Sequence, residues 1–192
     1  MQNQLKENKE KPQKFSAIPG QSMGKKRKSR AASEYKKSLQ EKQALKKLYG
    51  LSEKQMKRYV KETLLMKKVK NFSDELIKHL ETRLDSVVLR LGFAKSLGQS
   101  HQLVSHAYFL VNGKSVNISS FQVSIGDTIA IKENKKKKLI FKDLGDKLKK
   151  LQTPNWLSLD KEKFEGTVMR YPDLAEVNPP VEISLIFEFY SR

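Results

Sequence analysis

Residues 82–133 read TRLDSVVLRLGFAKSLGQSHQLVSHAYFLVNGKSVNISSFQVSIGDTIAIKE, and this stretch decides the fold. Leu84, Val87, Val88 and Leu91 recur at helical spacing, and Gly92 supplies a stop. Ser96 and Gln99 have capping-box spacing, in which each side chain satisfies an orphan backbone N–H of the other residue. A second helix is expected from there to about His106. Tyr108–Val111, Asn112-Gly113 and Lys114–Val116 are a strong hairpin signal, because Asn-Gly accepts the positive φ angles of a tight turn. Phe121, Val123 and Ile125 alternate, Gly126-Asp127 turns, and Thr128–Lys132 returns as a strand. The expectation is a module over residues 82–134, with two helices packed on a small antiparallel sheet.

The flanks differ from this module in charge. Residues 71–134 hold six basic and six acidic side chains, whereas residues 1–70 hold 21 basic and 6 acidic ones. Residues 135–192 hold 12 and 9, within a chain of net charge +18. A net +15 over seventy residues repels itself without a polyanion, and phosphate is the natural counter-charge. Residues 1–32 have too few apolar side chains to pack and read as a disordered, basic tail ending in KKRKSR. Residues 33–49 read as a helix, with Ser38 and Glu41 at capping-box spacing and Gly50 as its stop. Ser52 opens the next helix, with Gln55 three residues on. There Met56, Tyr59, Val60, Thr63 and Leu64 form an apolar stripe, and Lys54, Lys57, Arg58 and Lys61 fall largely off it. Asn71–Leu80 reads as a short third helix. Residues 139–151 read as helical, and Ile183, Leu185, Phe187 and Phe189 alternate like a strand. The overall expectation is an α+β chain. A mainly helical domain, 33–81 with 139–192 packed on it, carries the module as an insertion.

Several function classes are excluded early. The absence of cysteine removes disulfides and thiolate metal sites. His79, His101 and His106 lack ligand spacing, so no metal or cofactor is expected. No segment reaches the length of a membrane span, and the N-terminus has no apolar run of a secretory signal. No catalytic constellation is present, so neither a reaction nor a small-molecule substrate is expected.

Arg83-Leu84-Asp85, Arg90-Leu91-Gly92-Phe93, residues 102–106 (QLVSH) and Val111-Asn112-Gly113-Lys114 closely resemble the signature of the S-four RNA-binding domain. That domain occurs in several RNA-binding proteins and enzymes. The flanks narrow the choice. Pro19-Gly20-Gln21, Glu41-Lys42-Gln43 and Leu48-Tyr49-Gly50-Leu51 precede it. Pro154-Asn155-Trp156-Leu157, Glu165-Gly166-Thr167-Val168 and Glu188-Phe189-Tyr190-Ser191-Arg192 follow it. In that order they resemble the S-four family of small-subunit ribosomal proteins over residues 19–192. The resemblance implies direct binding of small-subunit ribosomal RNA, early in assembly, near a helix junction of the 5′ domain. It also implies contact with ribosomal protein S-five, a position where mRNA enters the subunit, a link to decoding accuracy, and a bacterial cytoplasmic or an organellar ribosome. Three departures stand out. About a third of the usual reach of the family's longer N-terminal arm is missing or rewritten, and Leu97 and His101 stand where the family usually has arginines.

The residues expected to bind RNA are Lys25, Lys26, Arg27, Lys28 and Arg30 in the tail. In the first helices they are Tyr35, Lys36, Lys37, Lys42, Lys46, Lys47, Tyr49, Lys54, Lys57, Arg58 and Lys61. In the module they are Arg83, Lys95, Ser96, Gln99, Gln102, His106, Asn112 and Lys114. Lysines neutralise phosphates and release counterions, and a helix start such as Ser96 offers backbone N–H groups to phosphate oxygens. Tyr35 and Tyr49 fit base stacking and core packing equally, whereas Tyr59 falls on the apolar stripe. Lys135–Lys138 fits an RNA contact or a solvated linker equally. Asp85 invites an enzyme reading, because an Arg-Leu-Asp triplet carries the nucleophile in pseudouridine synthases. There it lies in a large catalytic domain outside the module, whereas here it opens the module, which favours a helix-start charge. A stress factor that binds free large subunits would lack the long first domain and the EFYSR-type end.

Overall fold

The computed structural model of the chain describes residues 30–67 and 69–191. The expected tail lies outside these as far as residue 29, and its last three residues already belong to α1, Arg30–Leu48. Ser38 therefore does not cap a helix start. It is buried within α1, and its hydroxyl donates to the Glu34 carbonyl at 3.1 Å, a back-bond within one turn. The second helix, α2 (Glu53–Leu65), starts as expected. Ser52 Oγ accepts from Gln55 N at 3.2 Å, and Gln55 Oε1 accepts from Ser52 N at 2.9 Å. Helix α3, Phe72–Glu81, is capped by Asn71, whose side chain accepts from Ser73 N.

The module follows directly. Helices α4 (Leu84–Arg90) and α5 (Leu97–Ser105) cover a sheet that begins with β1 (Phe109–Val111) and β2 (Lys114–Val116). Their turn has positive φ at both Asn112 (50°) and Gly113 (77°), as the Asn-Gly pair requires. Strand β3, Thr128–Ile131, pairs antiparallel with β1. The alternating Phe121–Ile125 segment is not a strand, apart from one bridge between Gln122 and Arg83. Phe121 O accepts from Leu84 N, and Val123 N donates to Thr82 O. The start of α4 takes up these backbone groups, so no neighbouring strand is needed.

The segment after the module is helical over 139–150, as expected, and departs from expectation beyond it. The lysine run forms the short α6 (Glu133–Lys136), a 3-10 turn follows at Leu139–Phe141, and α7 spans Leu144–Lys150. Strands β4 (Leu157–Asp160) and β5 (Glu165–Val168) were not expected. They extend the sheet to the order β2-β1-β3-β5-β4, with Ile129 opposite Gly166. Phe141, Leu144, Leu148, Trp156, Leu157 and Val168 share one core with Leu84, Val88, Leu91, Phe109 and Ile131. This part of 139–192 thus packs on the module rather than on the helical domain. Gly166 leaves no room for a side chain, since a Cβ there would clash with the Leu91 side chain.

The C-terminal segment does return to the first helices. After α8 (Leu174–Val177), residues 183–191 form helix α9 (Ile183–Ser191) instead of a strand. Ile183, Ile186, Phe187 and Tyr190 also satisfy i, i+3, i+4, i+7, so a nearly all-apolar run fits both periods. Docking decides between them. α9 lies along α1, and its buried Ile183 and Ile186 join Leu45, Met56, Tyr59, Val60, Leu76, Ile77 and Leu80 in the second core. Among the described residues no helix is long and apolar enough to cross a membrane.

Candidate nucleic-acid interface

Two polar networks, centred on the buried carboxylates of Asp85 and Glu81, join the first helices to the module. Arg83 donates to Asp85 Oδ2 at 2.6 Å and Oδ1 at 3.0 Å, and to the Tyr59 hydroxyl at 2.8 Å. Both side chains of the ion pair are 2% exposed. Beside it, Glu81 accepts from Tyr49 OH at 2.6 Å and from Arg90 Nη2 and Nε at 2.6 and 2.9 Å. Burial, reinforced by the Glu81 charge, pushes the Tyr49 phenol well above its ordinary range, so it stays neutral and donates. The Glu81 hydrogen bond likewise raises Arg90 and holds it charged.

These networks withdraw several residues from the expected contact set. Arg83 and Tyr49 are buried ties of the joint, not phosphate or stacking contacts. Asp85 lies in the first turn of α4 with both carboxylate oxygens on Arg83, which leaves no open nucleophile. Lys42 is also buried, at 5% exposure. Its ammonium lies 2.8 Å from Glu53 and 4.2 Å from the Phe189 ring centroid, where it clamps α9 onto α1 and α2. Lys46 shares Glu53 at 3.1 Å, and Tyr190 OH donates to the same carboxylate at 2.9 Å. Glu53 is held down to about 2, first by the Lys42 hydrogen bond. Tyr35 stacks on Phe189 with 5.6 Å between ring centroids, although one side remains exposed. Lys37 pairs with Glu182 at 3.0 Å, but this is a surface contact and the lysine side chain stays 60% exposed. Asn112 donates to Asp127 at 2.7 Å and accepts from Thr128 N at 2.9 Å, fastening the hairpin turn.

The remaining expected cations stand in solvent. On α2, Met56, Tyr59, Val60 and Thr63 are buried, while Lys54, Lys57, Arg58 and Lys61 are exposed on the other side. Arg58 comes 3.7 Å from Glu62, a loose surface pair. Lys36, Lys47, Lys95 and Lys114 are exposed as well, and so are Gln102 and His106 at the end of α5. Ser96 caps α5 by accepting from Gln99 N at 3.3 Å, and Gln99 Oε1 accepts from Lys95 N at 2.6 Å. Lys25, Lys26, Arg27 and Lys28 lie outside the described residues, and α1 starts at Arg30.

Between the α1–α2 turn and the start of α5 runs a cleft with two hollows of about 320 and 630 Å³, which share Gly50 and His101. Lys47 stands at one, and Lys54 and Arg58 at the other. His101 is 58% exposed, with Nδ1 3.4 Å from Asp85 Oδ2. Leu97 packs toward Gly50, whose φ of +58° makes the chain turn there. The two positions that depart from the resemblance therefore line the same cleft, Leu97 as packing and His101 as an exposed polar rim. Sequence reasoning gave no sign of the cleft, since it forms only when the module docks. A second basic hollow, at Lys136–Lys138 and Lys142, shares no lining residue with this cleft. Among the described residues no group of His, Asp and Glu is placed to hold a metal ion.

Comparison with known proteins divides the chain at the start of the module. Residues 2–81 match the ribosomal protein S4/S9 N-terminal domain, and residues 82–129 match the S4 domain. A relative from Kosmotoga olearia, named small ribosomal subunit protein uS4, is 43% identical over 164 residues. The match covers 85% of this chain and 78% of that protein. The protein of the same name from Persephonella marina is 46% identical over 160 residues, covering 83% and 77%. The one from a Sulfurihydrogenibium species is 42% identical over 180 residues, covering 93% and 87%. The chain belongs to the uS4 family of small-subunit ribosomal proteins and is a structural, non-enzymatic component that binds the subunit's RNA.

Proposed function

We propose that the chain binds small-subunit ribosomal RNA directly and early in assembly, near the helix junction of the 5′ domain. In this reading the RNA backbone runs along the outer face of α2 and into the cleft against α5. Lys36, Lys47, Lys54, Lys57, Arg58, Lys61 and Lys95 supply the cations, with Lys114, Gln102 and His106 at the margin. The observation that carries it is α2 itself. One face is sealed in the second core, and Lys54, Lys57 and Lys61 on the other have no ion-pair partner among the described residues. Folded RNA is read largely by shape, 2′-OH groups and backbone, which suits a broad cationic surface. The division of labour is a tail and helical domain that provide attraction, and a near-neutral module that provides shape. Ribosomal protein S-five is the proposed protein neighbour. The position proposed for the chain is where mRNA enters the subunit, with an influence on decoding accuracy, in a bacterial ribosome.

The test is footprinting on small-subunit RNA with the purified chain, with Lys54→Ala/Lys57→Ala/Lys61→Ala alongside. Protection of the 5′ domain is expected. The variant should keep its thermal transition and lose roughly 2 from the log–log salt slope, at about 0.7–0.9 per phosphate contact. An unprotected 5′ domain, or an unchanged slope, removes this reading.

A further inference from the structure

The lysine run beyond the module is built into a shaped surface. Lys135 lies 4.8 Å from the Tyr108 ring centroid, and Lys136 lies 5.9 Å from that of Phe164 and pairs with Glu133. Both lysines are half-buried, so the turn is anchored at its base rather than free in solvent. That anchoring points Lys137, Lys138 and Lys142 at one open hollow of about 510 Å³, with Phe164 among its walls. The three are exposed, and no carboxylate among the described residues pairs with them. Asp146, also in the wall, is already 3.2 Å from Lys149. Leu139, 82% exposed, stands at the rim.

We propose that Lys137, Lys138 and Lys142 form a second RNA-backbone site, separate from the α2 face and its cleft. The proposal rests on the RNA-binding reading above and extends it to a new surface. Separation follows from topology. The first cleft sits at the start of α5, whose nine residues span roughly 13 Å. Its far end leads to Tyr108, the ring that Lys135 covers. Three unneutralised ammonium groups held on one concavity favour successive phosphates, whose charge spacing a polyanion supplies. Leu139 at the rim offers an apolar contact to a ribose or a base face. The chain's ligand is already RNA, so one folded RNA, gripped at both ends of the module, is the occupant these observations favour over an acidic protein segment. Two such grips would fix the module's orientation on the RNA, which one patch of point charges cannot do.

The experiment uses the full chain and transcribed 5′-domain RNA across a salt series. Lys137→Ala/Lys138→Ala/Lys142→Ala should reduce the log–log slope by roughly 2, as three lost phosphate contacts require, with an unchanged thermal transition. Combined with the α2 triple variant, the losses should add. A photo-crosslinker at position 138 of the otherwise unaltered chain should capture an RNA segment different from the one captured at position 54. An unchanged slope in a folded variant overturns the proposal. So does a crosslink from position 138 that captures only protein in assembled subunits, which would assign the surface to an acidic partner. If the unaltered chain does not bind this RNA at all, the RNA-binding reading itself fails and the second site falls with it, an outcome distinct from binding that persists with an unchanged slope.

Discussion

Arg58 and Arg83 stand 5.3 and 5.8 Å from the same ring, that of Tyr59, yet they belong to opposite regions of the molecule. Arg58 lies on the outer face of α2, with half its side chain in solvent and only a loose carboxylate nearby. Arg83 lies in the joint, 2% exposed, with Asp85 and Tyr59 occupying its donors. An exposed cation costs little to keep and can meet a phosphate. A buried one is tolerable only with its partners in place, and once paired it has nothing to offer a ligand. Composition alone therefore says little about which lysines and arginines meet RNA. The position of each along the apolar stripe, and whether a carboxylate awaits it inside, decides the matter.

The largest effect should come from breaking the joint. Asp85→Ala leaves the Arg83 guanidinium buried and uncompensated, and should cost about 3–5 kcal/mol of unfolding free energy. Lys57→Ala, on the exposed face, should stay within about 0.5 kcal/mol of the parent chain. Denaturant titration of both checks the contrast. Equal losses in the two variants would erase the distinction between the regions.

A finer contrast lies within α1. Lys42 and Lys47 are five residues apart and of one chemical type. Lys42→Ala should cost about 1.5–3 kcal/mol, because it strips a charged hydrogen bond from Glu53 and uncovers Phe189. It should leave the salt dependence of RNA binding unchanged. Lys47→Ala should do the reverse, with native stability and a slope shallower by roughly 0.7–0.9. Thermal melts and binding across a salt series, run on both variants, separate the two roles.

Much of the fold was legible because its signals are local. The Ser52–Gln55 box, the Ser96 cap and the Asn112-Gly113 turn each satisfy backbone groups within a few residues. What escaped depends on distant partners. β4 and β5 exist as strands because β5 finds β3, and α9 is a helix because α1 offers it a groove that outweighs its alternation. The site divides in the same way. The exposed face of α2 could be read from helical spacing. The burial of Lys42, Tyr49 and Arg83 could not, because Glu53, Glu81 and Asp85 reach them only in the folded chain. The Arg83-Leu84-Asp85 triplet had carried the family resemblance without showing that its first and third members pair with each other.

The smallest effect tests the border between the two regions, where Glu53 sits half in solvent and binds the buried Lys42. Its carboxyl is held at about 2, below the ordinary value of 4.5, so the folded chain keeps it ionised where the unfolded chain would protonate it. The stabilisation from this carboxylate is therefore fully present above about pH 4.5 and is lost as pH falls toward 2. Side-chain exposure near 48% screens it, which reduces the contribution to about 1 kcal/mol. Glu53→Gln should lower stability by that amount at neutral pH and flatten the acid limb between pH 4.5 and 2, as read by urea melts at each pH. Lys42 makes the difference informative. If the border behaves like the joint, the neutral-pH loss will far exceed 1 kcal/mol, because an ammonium 5% exposed will have lost its only carboxylate among the described residues. If it behaves like the α2 face, water reaching Glu53 will absorb most of the change and the acid limbs of the two chains will nearly coincide.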